Sequence, residues 1–513
     1  MTINARGFFD IDQQMICNTA LFLIITVIVC VLILTCIDQQ KQIANIQTNP
    51  IIIVTDNTIN DQKEAPLVSD QLYDIATNLV SNFPYKEYEQ FSSKSQPTCA
   101  PFPDIYDLNY HNTYWQRFVP KSDVTFDIFG AYFDDRPKVG KAVIRFLTVS
   151  NVVNPKYKIY CQMWFENEVE TVISEVTSYN LIWNQFYIRI SDGTHVGHVI
   201  TCPVPENMNK VPLAVSLVTD PCEKATNSFK VQNNRPENGI KKDFAVCVKG
   251  LDFLFDDLSI SLVQFMEANF MFGVDKVITY NFGVHPNITK VLNYYMKQST
   301  LELHPISLPA NYPNEQFLRH MFLKNRHLLK ILQELIPYND CFYKNMHLYK
   351  YILLLDIDEV FVPTQGTNYK EMLSHINGNF SSLYAVNKIF VQNTDDVKFY
   401  AGIPNYMEMM QIVTVATNYE KPYIKNVKSF FNTEDLLSLN NHMPYECIGK
   451  CVKKELIDKI GQLHHYRKKC SYENRFNCNE SKYSVRENKL FWRFKDEFIS
   501  RTSKVLKELK LVQ

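Results

Sequence analysis

The alternation of short apolar runs with amphipathic segments between residues 244 and 363 constrains the fold more than any other feature. The apolar runs are FAVCVKGL (244–251), DKVITYNFG (275–283), TLELHPISL (300–308) and KYILLLDIDEVFVP (350–363). Helical spacing of apolar residues predicts helices over 257–273, over 287–298 and over about 315–335. Strands that alternate with helices form a parallel α/β sheet, and ligands are expected at the carboxyl ends of its strands.

Before this region, from about residue 109 to 220, the sequence has a different period. Short strand-like runs are separated by turn residues, and they predict an antiparallel, sandwich-like module. The runs are VTFDIFGAYF (124–133), KAVIRFLTV (141–149), KIYCQMWF (158–165), FYIRI (186–190) and VPLAVSLV (211–218).

An uncharged apolar segment over residues 19–37 predicts a membrane anchor. As a helix it would span roughly 28 Å, about one hydrocarbon core. A cleaved signal peptide is the alternative, but its apolar core would be shorter and would end at a small-residue cleavage site. Residues 1–18 are then a cytoplasmic tail, and the polar residues 38–103 are a stem.

Cysteine usage and glycosylation signals favour a lumenal location for the rest of the chain. Three of the 13 cysteines lie in or beside the apolar segment, and the other ten lie beyond it. Asn287, Asn379 and Asn479 each begin an N-glycosylation sequon. Together these features predict an oxidising compartment with some disulfides, and for Cys447 and Cys451 a disulfide is preferred to a zinc site.

Three carboxylates follow the most apolar of the predicted strands. Asp356, Asp358 and Glu359 come after Tyr351–Leu355, and strand alternation predicts Asp356 and Asp358 on one side and Glu359 on the other. Two like charges this close repel each other unless a cation lies between them. Their oxygens suit Mn²⁺ or Mg²⁺, which could hold a diphosphate.

Two classes of enzyme use such a motif. In metal-dependent glycosyl transfer, Asp-x-Asp holds the ion on a nucleotide-sugar diphosphate. In haloacid-dehalogenase-like phosphatases the first aspartate is a nucleophile, but that motif normally opens its domain, whereas here strand–helix units precede it. The net charge of −1 gives no support to a nucleic-acid partner.

Several sequence blocks together resemble glycosyltransferase family 92, the "domain of unknown function 23" group. They are DIDEVFVP, NDCFYK (339–344), CVKGL (247–251) and LHHYR (463–467), and the blocks YWQRF, AYFDDRP, VIRFL and CQMWF resemble its animal branch. The resemblance implies a Rossmann-like GT-A domain in a type II Golgi membrane protein. It also implies inverting transfer of galactose from UDP-galactose to a glycan, since characterised relatives make β1,4-galactosyl linkages to fucose on N-glycan cores. A catalytically inactive, glycan-binding relative is a further alternative.

The resemblance also carries roles to individual residues. Asp356, Asp358 and Glu359 would be catalytic, and Asp356, Asp358 and His465 would bind Mn²⁺ or Mg²⁺, with His464 as a rival for His465. Residues proposed to bind the nucleotide sugar are Asp340 and Arg467. Candidates for the general base, left open, are Glu434, Asp435 and Glu446. The predicted boundaries are a β-rich module over 104–240, a GT-A domain over 241–480 and a helical tail over 481–513.

Overall fold

A computed structural model describes residues 82–92, 97, 99–183, 194–208, 210–391, 399–416, 427–467 and 485–513. All of them belong to one compact unit of the chain. Several predicted features lie outside the described residues. They are the cytoplasmic tail, the anchor, most of the stem, the run FYIRI and Asn479. Within the described residues, no helix is both long enough and apolar enough to cross a bilayer.

The first sheet is built from strands that lie between residues 110 and 232. Its strands are β1 (Tyr110–Asn112), β2 (Trp115–Lys121), β3 (Val124–Asp134), β4 (Val143–Ser150), β5 (Tyr160–Trp164), β6 (Val172–Glu175), β7 (Ser178–Leu181), β8 (Val196–Pro203), β9 (Ala214–Val218) and β10 (Phe229–Gln232). They are ordered β6-β5-β9-β10-β3-β4-β8-β7, and β2 joins β1 to β3. The pairing is antiparallel, as predicted, except that β10 and β3 are parallel.

The second sheet begins at residue 242 and is mixed. Its strands are β11 (Lys242–Phe253), β12 (Lys276–Val284), β13 (Leu301–Pro305), β14 (Tyr349–Leu354), β15 (Glu359–Pro363), β16 (Ser382–Val391), β17 (Thr414–Ala416), β18 (Val427–Asn432), β21 (Lys453–Glu455), β22 (Gly461–Arg467) and β23 (Val485–Glu487). A separate pair consists of β19 (Leu436–Leu439) and β20 (Pro444–Cys447). The strands β13-β12-β11-β14 are parallel, as predicted, and β18 then pairs antiparallel with β14.

Helices pack against both sheets. They are α1 (Tyr85–Ser92), α2 (Ser259–Met271), α3 (Pro286–Lys297), α4 (Gln316–Asn325), α5 (His327–Asn345), α6 (Tyr369–Ser374), α7 (Glu408–Gln411) and α8 (Lys495–Glu508), with short 3-10 turns at Ile105–Asp107, Pro137–Val139 and Leu490–Phe494. The predicted helix over 315–335 is in fact two helices that meet at Arg326, and the second continues to Asn345.

Both faces of β11 are buried, which explains its nearly continuous apolar sequence. Phe244 and Val246 pack in a core with α2, α3 and α8. Ala245 and Cys247 point the opposite way, into a second core with α5. That second core also contains Trp115 and other residues of the first sheet, so the two sheets share buried apolar surface. Burial on both faces holds the carboxyl end of β11 in a defined position.

Among the residues that the structure describes, four pairs of cysteines lie within disulfide-bonding distance. They are Cys99–Cys222, Cys161–Cys202, Cys247–Cys341 and Cys447–Cys451. Cys247 is on β11 and Cys341 is on α5, so this pair ties the strand to the helix that covers it. The preference for a disulfide between Cys447 and Cys451 agrees with their geometry.

The buried position of His347, between α5 and β14, predicts that the stability of the protein depends on pH. Its Nε2 lies 3.3 Å from the backbone oxygen of Phe133, and its side chain is buried. Burial, with a further contribution from the Arg235 guanidinium, lowers the pKa of His347 from 6.5 to about 4. The unfolded chain therefore takes up a proton that the folded chain does not. The stability from neutral His347 is present above pH 6.5 and is lost as the pH falls from 6.5 towards 4.

We expect His347 to make the free energy of unfolding about 2 kcal/mol lower at pH 5 than at pH 7.5. Urea unfolding of the full-length protein and of His347→Phe at the two pH values measures the effect. The decrease should be smaller in the variant by about that amount. Equal decreases in the two proteins would contradict the prediction.

Candidate active site

A cavity of about 820 Å³ lies at the carboxyl ends of β11 and β14. This is the edge where ligands are expected in a parallel α/β sheet. The residues that line it are Val248, Lys249, Leu251, Phe253, Asp256, Leu258, Ser261, Gln264, Lys330, Asp356, Ile357, Asp358, Glu408, Met409, His465, Tyr466 and Arg467. Asp356, Asp358, His465 and Arg467 were predicted as site residues, so the structure brings these four to one cavity.

The segment that carries the carboxylates is a turn. The predicted strand over 350–363 is interrupted between β14 and β15, and the amide of Glu359 donates to the backbone oxygen of Asp356 at 3.0 Å. The Glu359 carboxylate in turn accepts from the amide of Asp356 at 3.0 Å. The prediction that Glu359 points away from Asp356 is therefore wrong, because a turn does not follow the alternation of a strand.

Asp356 is held between two lysines. Its Oδ1 lies 3.0 Å from Nζ of Lys249, on β11, and its Oδ2 lies 3.0 Å from Nζ of Lys428, on β18. Burial would raise the pKa of Asp356, but the two ammonium groups outweigh it and hold this pKa well below its usual value. Asp356 is therefore ionised and fixed in orientation.

Lys428 connects the carboxylates beneath the cavity. Its side chain is 1% exposed, and its Nζ also lies 3.1 Å from Oε2 of Glu359 and 2.6 Å from Oδ1 of Asn441. Burial lowers the pKa of a lysine, yet Asp356 and Glu359 raise the pKa of Lys428 above its usual value. Lys428 is therefore the buried counter-ion of Asp356 and Glu359.

Asp358 is the more accessible of the two aspartates and pairs with His465. Its side chain is 41% exposed, and its Oδ2 lies 3.2 Å from Nε2 of His465. The antiparallel register of β15 and β22 places His465 opposite Glu359, whose Oε1 lies 3.3 Å from Nδ1 of the imidazole. Although burial opposes protonation, the two carboxylates raise the pKa of His465.

The structure distinguishes His465 from His464. Successive side chains on a strand point in opposite directions. His464 packs against Phe390 with ring centroids 4.4 Å apart, and its Nδ1 lies 3.0 Å from the Tyr466 hydroxyl. It therefore lies buried in the core, whereas His465 faces Asp358.

The chemistry of these donors fits a divalent ion that binds together with its substrate. Among the described residues, no three His, Cys, Asp or Glu side chains converge on one point as a complete metal site. Both oxygens of Asp356 face lysines, which leaves one carboxylate, Asp358, and one imidazole, His465. A carboxylate and an imidazole are compatible with Mn²⁺, and ions of nucleotide-dependent enzymes take further oxygens from substrate phosphates.

Arg467 and Asp340, the predicted nucleotide-sugar ligands, lie in different places. Arg467 lines the cavity, with its Nε 3.2 Å from Nε2 of His465. Asp340 is fully buried, accepts from the hydroxyls of Tyr132 and Tyr280, and pairs with Lys344 at 3.0 Å. These contacts place Asp340 in the core between the two sheets, away from the cavity lining.

The cavity contains charged residues that the sequence patterns did not single out. Lys249 follows an apolar run on β11, while Asp256 and Glu408 lie on the cavity wall from a loop and from α7. The proposed general bases lie elsewhere. Glu434 pairs with Lys241, Asp435 pairs with Lys138 at 2.5 Å, and Glu446 accepts from Asn180. The position of Lys249 in the CVKGL block was an available signal, because a charge at the end of a buried strand lies at the ligand edge.

Two sequons fall on described residues. Asn379 is exposed, so its amide is accessible to modification. Asn287 is half-buried in the first turn of α3, where its Nδ2 donates to Asp257 at 2.7 Å. Glycosylation at these positions stays a prediction.

Comparisons with solved structures give weak overall similarity. A bacterial protein, S. aureus TarS 1-349 in complex with UDP-GlcNAc, is 12% identical, with 45% of this chain and 61% of that chain covered and a TM-score of 0.24. The same protein with UDP is also 12% identical, with coverages of 37% and 47% and a TM-score of 0.20. The apo structure of the bifunctional glycosyltransferase WbbM is 13% identical, with coverages of 41% and 35% and a TM-score of 0.19. The matches thus span about half of the length of those chains.

A search of curated proteins finds no significant match. The model of glycosyltransferase family 92, in contrast, matches residues 242–508, more than half of the chain. The matched region includes β11, the turn with its carboxylates, Lys428 and His465. This chain belongs to glycosyltransferase family 92.

Proposed function

We propose that the protein transfers a sugar, galactose from UDP-galactose, to a glycan acceptor by a metal-dependent inverting reaction. Family membership supports glycosyl transfer and argues against the phosphatase alternative. The observation that carries the proposal is the Asp358–His465 pair, at 3.2 Å, at the wall of a cavity that also contains Lys249, Lys330 and Arg467. In this proposal residues 241–480 are a GT-A domain, preceded by a β-rich module over 104–240 and followed by a helical tail over 481–513.

The arrangement of charges suggests how the chain's own residues would act. Asp358 and His465 would hold Mn²⁺, which when bound supplies positive charge to the departing diphosphate. Lys249 and Arg467, which line the same wall, would bind the phosphate oxygens. Lys428 would keep Asp356 and Glu359 ionised and oriented beneath them.

Inversion requires one base and one displacement. Asp256 or Glu408, both at the cavity wall, would remove the proton of the acceptor hydroxyl. The acceptor oxygen then forms a bond to the anomeric carbon as the bond from that carbon to UDP breaks on the opposite face. The proton goes to the carboxylate and the electron pair leaves with UDP.

We further propose that residues 19–37 anchor the protein in the Golgi membrane as a type II protein. The cavity, the cysteine pairs and the sequons would then face the lumen. Partners would be a UDP-sugar and a glycan or glycoprotein, with no role for nucleic acid.

Release of UDP from a panel of UDP-sugars tests the proposed reaction. The full-length protein is incubated with each donor and a fucosylated N-glycan core, in Mn²⁺ or in EDTA. We expect release with one donor, UDP-galactose, and a decrease of at least about hundredfold in EDTA. Absence of release with any donor, together with phosphate release from phosphomonoesters, would refute the proposal.

A further inference from the structure

Four large apolar side chains are exposed beside the cavity. We call them the rim patch: Phe255, in the loop between β11 and α2, and Phe317, Leu318 and Met321 on α4. Their exposed fractions are 62%, 51%, 56% and 38%. Clustered apolar exposure of this kind often marks a binding surface, whereas single exposed apolar residues need no explanation.

The rim patch is held in place by contacts beneath it. The Phe255 ring lies 6.0 Å from that of Phe317 and 5.4 Å from that of His320, in both cases edge to face. His320 is buried, and its Nδ1 lies 3.1 Å from Oδ1 of Asp252 at the end of β11. The pair attaches α4 to the strand that leads into the cavity, so the aromatic surface is ordered before any ligand binds.

One member of the rim patch, Phe255, adjoins the cavity wall along the chain. Phe253 and Asp256 line the cavity, and Phe255 lies between them in the chain. A cavity of about 820 Å³ can enclose a nucleotide sugar. A glycan is longer, so the sugars beyond its reacting end must lie on the surface outside.

We propose that the rim patch binds the part of the acceptor glycan that extends beyond its reacting sugar. This inference rests on the proposed glycosyl transfer. One face of a pyranose ring presents C–H groups with partial positive charge, and the face of an aromatic ring is negative. Phe255 and Phe317 would therefore bind sugar rings in an extended glycan, next to the candidate base Asp256.

The exposure of the rim patch indicates that its ligand is the acceptor glycan and not the nucleotide base of the donor. A nucleotide base bound with its sugar is mostly enclosed, and the apolar walls inside the cavity, such as Val248, Leu251 and Met409, suit it. Side chains that are half exposed instead suit a ligand that runs along the surface.

Acceptors of two lengths test the inference. The unaltered full-length protein, Phe255→Ala and Phe255→Ala/Phe317→Ala are compared with an unlabelled fucosylated N-glycan core and with methyl α-fucoside, and the products are detected by mass spectrometry. We expect the KM for the extended glycan to rise by about three- to tenfold in the single variant and further in the double variant. The KM for the fucoside and for the UDP-sugar should change by less than about twofold.

Phe255→Tyr and Tyr106→Ala serve as matched controls. Tyrosine keeps an aromatic face, so Phe255→Tyr should retain the acceptor KM. Tyr106 is 93% exposed beside the first sheet and does not line the cavity, so its loss should also have no effect.

Three outcomes would overturn the inference. They are an unchanged KM for the extended glycan, an equal rise for both acceptors, or a rise for the UDP-sugar, which would indicate stacking of the base. The proposed function is judged separately, by UDP release from the unaltered enzyme. If that release occurs and Phe255→Ala behaves normally, only the role of the rim patch is refuted.

Discussion

Replacing Asp358 with asparagine is expected to reduce sugar transfer by at least about a hundredfold while the protein still folds. The amide removes the negative charge that faces the cavity and weakens the proposed metal contact. Because the Asp358 side chain is 41% exposed, the loss of its pair with His465 should cost little stability. Initial rates of UDP release and a urea unfolding curve measure the two effects.

Glu206→Gln is the matched control for this variant. It makes the same acid-to-amide change at a side chain that is 71% exposed and paired with Lys141, in the loops next to β8 and β4 of the first sheet. Its activity should equal that of the unaltered enzyme. Mn²⁺ binding in the presence of UDP, measured by calorimetry, should be weaker in Asp358→Asn only. Normal activity of Asp358→Asn would exclude the metal role.

Replacing Lys428 with methionine is expected to lower the free energy of unfolding by about 3 to 5 kcal/mol. Methionine has a similar length, so it fills the space but leaves Asp356 and Glu359 without their shared cation. Glu359 is 1% exposed, and water therefore cannot replace the lost contact. Activity should fall as well, since the turn between β14 and β15 loses the ion that orders it.

Lys350→Met provides the comparison for Lys428→Met. Lys350 pairs with Asp243 at 2.6 Å, but its side chain is 52% exposed, so its loss should cost less than about 1 kcal/mol. Urea unfolding of both variants measures the difference. Equal losses of stability would show that the buried position of Lys428 has no special importance.

The parallel half of the second sheet and its helices were predictable from the sequence, whereas the mostly antiparallel strands from β15 onward were not. Apolar runs of strand length, separated by helical spacing, predicted β11 to β14 and their parallel pairing, but not their order in the sheet. The main errors in the predicted elements occurred where an apolar pattern continues along the chain but the strand or helix ends. The apolar character of residues 350–363 runs through a turn, and that of 315–335 runs across a break at Arg326.

The residues of the candidate site were likewise only partly predictable from the sequence. Asp356, Asp358 and the segment containing His465 were visible as motifs, because several residues of each motif lie together in the chain. Lys428 was not visible, since it lies 72 residues from Asp356 in a segment with no distinctive pattern. Asp340 is of a residue type that is common in active sites, yet its side chain is surrounded by Tyr132, Tyr280 and Lys344 in the core.

By itself, the sequence predicted the parallel part of the second sheet, the edge of that sheet at which the cavity lies and the acidic motif at that edge. These properties depend on hydrophobic periodicity and on neighbouring residues, which a linear chain displays directly. Only the tertiary structure decided that two lysines hold Asp356, that His465 rather than His464 faces Asp358, and that Glu359 joins the cluster. Those outcomes depend on strand register and on a turn that bring distant residues within about 3 Å, where burial makes each charge depend on its partners.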